Sequence, residues 1–247
     1  MLTTESWLKC YKPLPDAELR LFCFPYAGSS AISFRSWSDL LPPTVEVYSI
    51  ELPGRGTRMK EFLYRKMEPL VEAIAPALLS KLDKPFAFFG HSMGAIVAFE
   101  CCRLLRKNYS LLPFRLFVSG RNAPHLPDPD PPVHNASKAA FIEELRRFKG
   151  TPEEILNSDA MMELLLPILR ADFEVLETYR YIEKSPLECP ITAFGGLEDV
   201  KTTAEGLEAW GEHTIDFCSL YELAGDHFFI NSARSLLLKY LVNYIKF

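Results

Sequence analysis

The segment Gly90-His91-Ser92-Met93-Gly94 constrains the fold of this chain more than any other. It directly follows the apolar run 86–89 and leads into an apolar, helix-like stretch at 95–105. A short strand, the pattern Gly-x-Ser-x-Gly and a helix together are typical of a nucleophile elbow. This turn is so tight that the residues two before and two after the serine must be small. It exposes the serine hydroxyl, so Ser92 is a candidate nucleophile.

The five-residue pattern alone also occurs at ordinary helix starts, so the rest of the chain must supply its context. Strand-like and helix-like segments alternate along the chain, which predicts a mostly parallel, doubly wound α/β sheet with helices on both faces. We predict one domain over residues 1–247, a length that suits a single large α/β domain. The predicted strands are 19–25, 45–52, 86–89, 114–119, 191–195 and 214–223, and the predicted helices are 33–41, 67–82, 93–105 and 233–244. In helix 33–41 we expect Phe34, Trp37, Leu40 and Leu41 to face the core.

One stretch interrupts this alternation, between the strands 114–119 and 191–195. It opens with a proline-rich loop at 126–132 and continues with helix-like segments at 138–148, 152–156 and 160–181, the last broken or kinked at Pro167. Such a length is too great for a simple crossover, and loops at the carboxyl ends of the strands surround the site in this architecture. We therefore predict that residues 125–187 form a helical lid. The alternative is a helical subdomain that only covers one face of the sheet.

A serine nucleophile needs a base, and this architecture places the base last, in the order nucleophile, acid, base. His227 follows the last predicted strand and precedes the last helix, so it is the predicted base. His125 and His134 lie at the entrance of the lid. His213 lies upstream of the last strand, where we expect a surface position. His91 is part of the elbow and is expected to pack beside its strand.

The acid should lie on the loop after the penultimate strand, where Glu198 and Asp199 are neighbours. Position favours Asp199, but spacing cannot separate adjacent carboxylates, so Glu198 remains the alternative. Asp226 is next to His227 and would have to fold back to orient that imidazole. The acid would hold the tautomer of His227 and stabilise its charged form.

The oxyanion formed during attack needs hydrogen-bond donors. We assign the backbone N–H of Met93, which follows the nucleophile, and that of Ala27, in the turn after the first predicted strand. Tyr26 is the alternative, because a turn offers several N–H groups. Gly28 permits close approach of the backbone.

Composition excludes several other classes of function. The net charge is −5, and there is no basic stripe of the kind that binds nucleic acid. No apolar run approaches the length of a membrane span, and the N-terminus lacks the layout of a signal peptide. The six cysteines form no Cys-x-x-Cys pair, the five histidines show no metal-ligand spacing, and no phosphate loop or dinucleotide fingerprint is present. We expect a soluble cytoplasmic protein with free thiols, no metal and no cofactor.

Five segments carry a resemblance to a known family. They are Phe24-Pro25-Tyr26-Ala27-Gly28, Glu51-Leu52-Pro53-Gly54-Arg55-Gly56-Thr57-Arg58, the elbow, Gly195-Gly196-Leu197-Glu198-Asp199 and Gly225-Asp226-His227-Phe228-Phe229. In this order the chain resembles the type II thioesterases that accompany polyketide synthases and nonribosomal peptide synthetases, within the α/β-hydrolase superfamily. The resemblance implies the α/β-hydrolase fold.

Carried over to this sequence, the catalytic triad of the family falls on Ser92, Asp199 and His227, which selects Asp199 over its neighbour. The oxyanion donors of the family fall on Ala27 and Met93. Two small departures are Ser29, where a second glycine is usual, and Val200, where a proline often follows the acid.

The resemblance also implies a substrate. Such enzymes hydrolyse stalled or aberrant acyl units from the phosphopantetheine arm of acyl or peptidyl carrier proteins. Three alternatives are a medium-chain fatty acyl-carrier thioesterase that ends fatty-acid synthesis, a generic carboxylesterase, and a non-catalytic partner that only binds carriers. The carboxylesterase is the weakest of these, because the Leu-Pro-Gly-Arg-Gly segment matches the thioesterases specifically. Neither nucleic acid nor membrane is an expected partner.

Three further features of the sequence have a predicted place in such an enzyme. Residues 161–169 could line the acyl pocket or belong to the core of the lid. Arg146, Arg147 and Lys149 form a solvated helix face or a docking site for an acidic carrier. Arg55 and Arg58 are expected to fix the loop beside the site.

Overall fold

The computed structural model describes residues 4–128 and 130–245. The predicted domain bounds also include residues 1–3, 129, 246 and 247, which lie outside the described residues. Residue 129 belongs to the predicted proline-rich loop. The centre of the molecule is a seven-stranded sheet in the order β1-β3-β2-β4-β5-β6-β7. The strands are β1 (Leu8–Lys9), β2 (Leu19–Phe24), β3 (Val45–Ile50), β4 (Phe86–His91), β5 (Arg115–Ser119), β6 (Ile191–Gly196) and β7 (Cys218–Leu223). Among the strands of the described residues, only β1 runs antiparallel to its neighbour, so the prediction of a mostly parallel sheet is confirmed.

Helices cover both faces of this sheet. They are α1 (Trp37–Leu40), α2 (Met67–Leu79), α3 (Met93–Tyr109), α4 (Lys138–Phe148), α5 (Glu153–Leu156), α6 (Asp159–Glu177), α7 (Ala204–Glu208), α8 (Phe229–Ser232) and α9 (Arg234–Ile245). Short 3-10 turns lie at Thr4–Trp7, Ala31–Phe34, Gly56–Arg58 and Ala209–His213.

The central strands are apolar on both faces because both faces are covered. Along β2 and β4, Phe22 and Phe88 pack against α2 and α3 in one core. The alternate residues Cys23 and Phe89 pack against α1 and α9 in a second core. Successive side chains of a strand point to opposite faces, so such a strand is a continuous apolar run in the sequence.

Several local predictions were wrong. The two-residue strand β1 is too short to produce a periodic pattern, and the sequence does not reveal it. The last strand begins at Cys218 rather than at 214, because Ile215 and Phe217 are exposed loop residues despite their apolar side chains. The predicted helix 33–41 consists of a 3-10 turn and a four-residue helix. Leu40 is 54% exposed and does not face the core.

The helical insertion (residues 125–187) contains α4, α5 and α6 and joins β5 to β6. Its helices enclose an apolar cluster of their own, formed by Phe141, Leu145, Leu156, Met162 and Leu169. Helix α6 continues through Pro167 without a break and ends at Glu177, so the predicted end at 181 is wrong. Pro167 lies on an exposed face of the helix, where the carbonyl that loses its N–H partner can be hydrated.

Candidate active site

The elbow has the strained geometry that its sequence predicts. Ser92 lies between β4 and α3 with φ 53° and ψ −114°, outside the ordinary regions for a side chain-bearing residue. A Cβ on Gly90 would lie 2.1 Å from the carbonyl oxygen of Gly94. A Cβ on Gly94 would lie 2.1 Å from the carbonyl oxygen of Phe24. Both positions therefore require glycine for steric reasons.

The structure brings the three predicted triad residues together. His227 Nε2 lies 3.0 Å from Ser92 Oγ, and His227 Nδ1 lies 2.8 Å from Asp199 Oδ2. His227 is 4% exposed and Asp199 is 7% exposed. A carboxylate at Nδ1 favours the tautomer in which Nδ1 carries the proton and Nε2 is free to accept one from the serine.

Asp199 and Glu198 have different surroundings. Glu198 is exposed, whereas Asp199 accepts hydrogen bonds from His227 and from the backbone N–H of Lys201 at 2.9 Å. Burial opposes ionisation of Asp199, but the hydrogen bond and the charge of His227 outweigh it and lower the pKa of this carboxyl. Asp226 does not reach the imidazole ring; it accepts the N–H of Phe228 at 2.9 Å.

The turn that carries Ala27 lies beside Ser92. Ser29 N–H donates to the carbonyl of Tyr26 at 3.0 Å, and Gly28 has φ 75°. This combination defines a type II turn with glycine at its third position. Ala27 and Ser92 line the same cavity. Within residues 4–128 and 130–245, no acceptor is bonded to the backbone N–H of Ala27 or of Met93.

Both N–H groups are therefore available to a ligand. That of Met93 also stands at the N-terminal end of α3, where the helix dipole favours negative charge. Tyr26, the alternative donor residue, contributes its carbonyl to the turn and packs its ring edge-on against Phe228 at 5.2 Å.

Two histidines outside the triad are buried. His91 packs beside its strand as predicted, and its Nδ1 lies 2.9 Å from Ser119 Oγ. Burial, with His227 nearby, lowers the pKa of His91 to about 3.

The predicted surface position of His213 is wrong, because it is 4% exposed and its Nε2 lies 2.7 Å from His125 Nδ1. Burial and the neighbouring His125 lower the pKa of His213 to about 4. The 3-10 turn Ala209–His213 folds this ring onto Phe99 of α3, a contact that spacing along the chain does not reveal.

A cavity of about 840 Å³ lies above Ser92 and His227. The helical insertion supplies much of its apolar wall, through Leu145, Phe148, Ile155, Leu165, Leu169, Phe173 and Leu176. Of the segment 161–169, only Leu165 and Leu169 line this space. Met162 lies in the core of the insertion, and Leu164 is 63% exposed.

The predicted basic cluster is largely neutralised within the chain. Arg146 pairs with Glu143 and Glu153, and Arg147 pairs with Asp130 and Glu144. These four exposed carboxylate contacts satisfy the two guanidinium groups without a partner protein. They favour the solvated helix face over the docking site.

Arg55 and Arg58 fix the loop after β3, as predicted. Arg58 donates to the backbone carbonyl of Glu51 at 2.8 Å and lies over the ring of Trp7 at 3.9 Å. Arg55 forms a buried two-point ion pair with Asp172 of α6. The sequence does not reveal this role of Asp172, since it is one carboxylate among several on an amphipathic helix.

The described part of the chain contains no group of three or more His, Cys, Asp or Glu residues arranged to hold a metal ion. None of its helices is long and apolar enough to cross a membrane. All six cysteines are free thiols.

A serine, a carboxylate and a histidine in this chain order, on loops at the carboxyl ends of a mostly parallel sheet, define an α/β hydrolase. Comparison with known proteins makes the assignment more specific. The thioesterase domain profile matches residues 19–241, so the chain belongs to the thioesterase domain family. It is an enzyme that hydrolyses thioesters, and the resemblance seen in the sequence motifs is confirmed.

Relatives cover nearly the whole chain. The Gramicidin S biosynthesis protein GrsT of Aneurinibacillus migulanus is 44% identical over 93% of this chain and 90% of its own length. The Linear gramicidin dehydrogenase LgrE of Brevibacillus parabrevis is 43% identical, over 98% of this chain and 97% of LgrE. The name of LgrE describes redox chemistry, whereas the site geometry and the family profile both indicate a hydrolase. The solved structure of the RedJ thioesterase from the prodiginine biosynthetic pathway of Streptomyces coelicolor superimposes with a TM-score of 0.88 at 40% identity, over 94% of this chain and 88% of RedJ.

Proposed function

We propose that this protein is a serine thioesterase that removes stalled or aberrant acyl groups from the phosphopantetheine arm of acyl or peptidyl carrier proteins, in polyketide or nonribosomal peptide synthesis in the cytoplasm. Ser92 is the nucleophile, His227 the base and Asp199 the residue that orients His227. The backbone N–H groups of Ala27 and Met93 form the oxyanion hole. The observation that carries the proposal is the hydrogen-bonded series Ser92–His227–Asp199 at the floor of the 840 Å³ cavity.

In the first half of the reaction, Ser92 Oγ attacks the thioester carbonyl carbon while His227 Nε2 takes the hydroxyl proton. The carbonyl oxygen becomes an oxyanion that the N–H groups of Ala27 and Met93 stabilise. The carbon–sulfur bond then breaks, and the imidazolium returns its proton to the sulfur. The products are the free thiol of the arm and an acyl ester on Ser92.

In the second half, a water molecule takes the place of the thiol. His227 removes a proton from this water as its oxygen attacks the ester, and the same two N–H groups stabilise the second oxyanion. The ester bond breaks and the proton returns to Ser92 Oγ. The free acid leaves, and the enzyme is restored.

We also propose that residues 1–247 form one domain in which residues 125–187 act as the lid of the acyl chamber. The apolar side chains that the insertion contributes to the cavity support this assignment. An acyl chain buried there loses contact with water, which stabilises the bound substrate in proportion to its apolar area. The carrier protein itself stays outside, because only its long, thin arm can enter such a space.

The test is a panel of carrier proteins loaded with acetyl, propionyl, hexanoyl and decanoyl groups, with the matched acyl-CoA thioesters as controls. We expect release from the carriers to be faster than from acyl-CoA and to be lost in Ser92→Ala. A strong preference for the longest chains over acetyl and propionyl would support fatty-acid chain termination instead. Binding of carriers with no release by the wild-type protein would make it a non-catalytic partner.

A further inference from the structure

A buried ion pair connects the loop after β3 to the helical insertion. Arg55 Nη1 lies 2.5 Å from Asp172 Oδ2, and Arg55 Nη2 lies 2.7 Å from Asp172 Oδ1. The two side chains are only 6% and 5% exposed. Desolvation of such a pair can cost as much as its attraction gains, so stability alone is a weak reason for its presence. A specific geometric task is the better explanation.

Both groups of the pair also bind the turn that carries Ala27. Asp172 Oδ2 accepts the N–H of Gly28 at 2.7 Å. Arg55 Nη1 donates to the carbonyl of Ser29 at 3.1 Å. The pair thus holds the third and fourth residues of the turn, while Ala27 at the second position keeps its own N–H unbonded.

The contact with Gly28 controls the orientation of one peptide. Type I and type II turns differ by a rotation of the central peptide through about 180°. In this turn the central peptide joins Ala27 to Gly28. In the type II form the Gly28 N–H points at the carboxylate of Asp172. Without that carboxylate this half-buried N–H loses its acceptor in the protein, and the turn loses the contact that selects its conformation.

We propose that Asp172, itself oriented by Arg55, is a positioning residue that holds the turn 26–29 so that the Ala27 N–H points into the oxyanion hole. This inference rests on the proposed function. Because Asp172 belongs to α6, the donor is anchored to the helical insertion as well as to the sheet. Stabilisation of an oxyanion depends on donors that are fixed before the charge develops, so a loosened turn lowers kcat more than it changes substrate binding.

The test variant is Asp172→Asn, and the chain offers a matched control in Glu46→Gln. Glu46 has the same two kinds of partner: it accepts hydrogen bonds from the backbone N–H of Leu14 at 2.9 Å and from Arg20 Nε at 3.0 Å. It lies on β3, away from the cavity. Asparagine has one acceptor oxygen where aspartate has two, so its NH2 group must face either Arg55 or the Gly28 N–H, and a donor then meets a donor. We expect Asp172→Asn to lower kcat by about 10- to 100-fold, less than or similar to the loss of a whole oxyanion donor, with KM changed less than about twofold. Glu46→Gln should keep the kcat of the wild type.

A second measurement separates positioning from general destabilisation. An alkylboronic acid becomes tetrahedral when Ser92 Oγ adds to its boron, and one of its oxygens then occupies the oxyanion position. Its affinity should fall in Asp172→Asn by about the same factor as kcat and stay unchanged in Glu46→Gln. Should Asp172→Asn fail to fold, Arg55→Lys supplies the test, since it keeps the charge but loses the two-point contact, and it should lower kcat and boronate affinity together.

Two outcomes are distinguishable. The positioning role would be overturned if the Asp172 or Arg55 variant matched Glu46→Gln in both kcat and boronate affinity. In that outcome Ser92→Ala would still be inactive, and the proposed function would stand. Full activity of Ser92→Ala would overturn the proposed function itself.

Discussion

Ser92 Oγ and His227 Nε2 are 3.0 Å apart, although 135 positions separate the two residues along the chain. The sheet creates this proximity. Ser92 follows β4, and His227 follows β7, two strands that end at the same edge of a parallel sheet. Asp199, which follows β6, completes the series from the same edge.

The different surroundings of two adjacent carboxylates lead to the first prediction. Asp199→Asn should lower kcat by about 10³- to 10⁴-fold, because an amide no longer holds the tautomer and charge of His227. Glu198→Gln is the matched control, since this exposed neighbour makes no contact with the imidazole ring. Steady-state hydrolysis of an acyl-pantetheine thioester measures both. Similar losses in the two variants would mean that Asp199 has no special role.

The elbow supplies a prediction about stability. Gly94→Ala would place a Cβ 2.1 Å from the carbonyl oxygen of Phe24, and backbone cannot yield as a flexible side chain does. We expect a loss of more than about 3 kcal/mol in the free energy of unfolding, measured by urea denaturation. Gly211→Ala is the control, because its Cβ would meet its nearest neighbour, Cys218, at 3.7 Å. An equal effect of the two substitutions would contradict the steric explanation.

The cavity wall supplies a prediction about acyl-chain length. Leu165→Trp should fill part of the chamber and lower kcat/KM for decanoyl thioesters by at least about tenfold relative to acetyl thioesters. Leu164→Trp places the same ring on the adjacent residue, which is 63% exposed. That variant should keep the chain-length profile of the wild type. A profile shifted equally in both variants would remove Leu165 from the chamber.

The buried His213 supplies a prediction about pH. Its pKa is about 4 in the folded protein against an ordinary 6.5. Above pH 6.5 the ring is neutral in both states. As the pH falls from 6.5 to 4, the unfolded chain takes up a proton that the folded protein excludes, so this group makes the protein less stable, by about 2 kcal/mol at pH 5.

His213→Phe removes this proton linkage. The variant should be less stable than the wild type at pH 7.5, because the hydrogen bond with His125 is lost. The difference should shrink or reverse at pH 5. Urea denaturation of both proteins at the two pH values measures it, and a difference in unfolding free energy that did not change with pH would refute the linkage.

Much of the fold could be predicted because its signals are local. The apolar runs of the central strands and the glycines of the elbow are properties of neighbouring residues. The errors have the same origin. Ile215 and Phe217 resemble strand residues in isolation, and the two-residue β1 has no pattern of its own. Pro167 predicts a break or a kink, whereas α6 continues through this residue, which lies on the exposed face of the helix.

The sequence by itself determined the alternating α/β architecture, the strained serine turn and the chain order of Ser92, Asp199 and His227. These depend on side-chain polarity and backbone sterics over a few residues. Spacing along the chain could not separate Asp199 from Glu198; the family resemblance selected Asp199, and the tertiary structure shows its contact with the imidazole. Only the tertiary structure decided that His213 is buried and that Asp172 accepts the Gly28 N–H of the turn that carries Ala27. Those contacts join residues far apart in the chain, and they form only when the sheet and the helical insertion pack together.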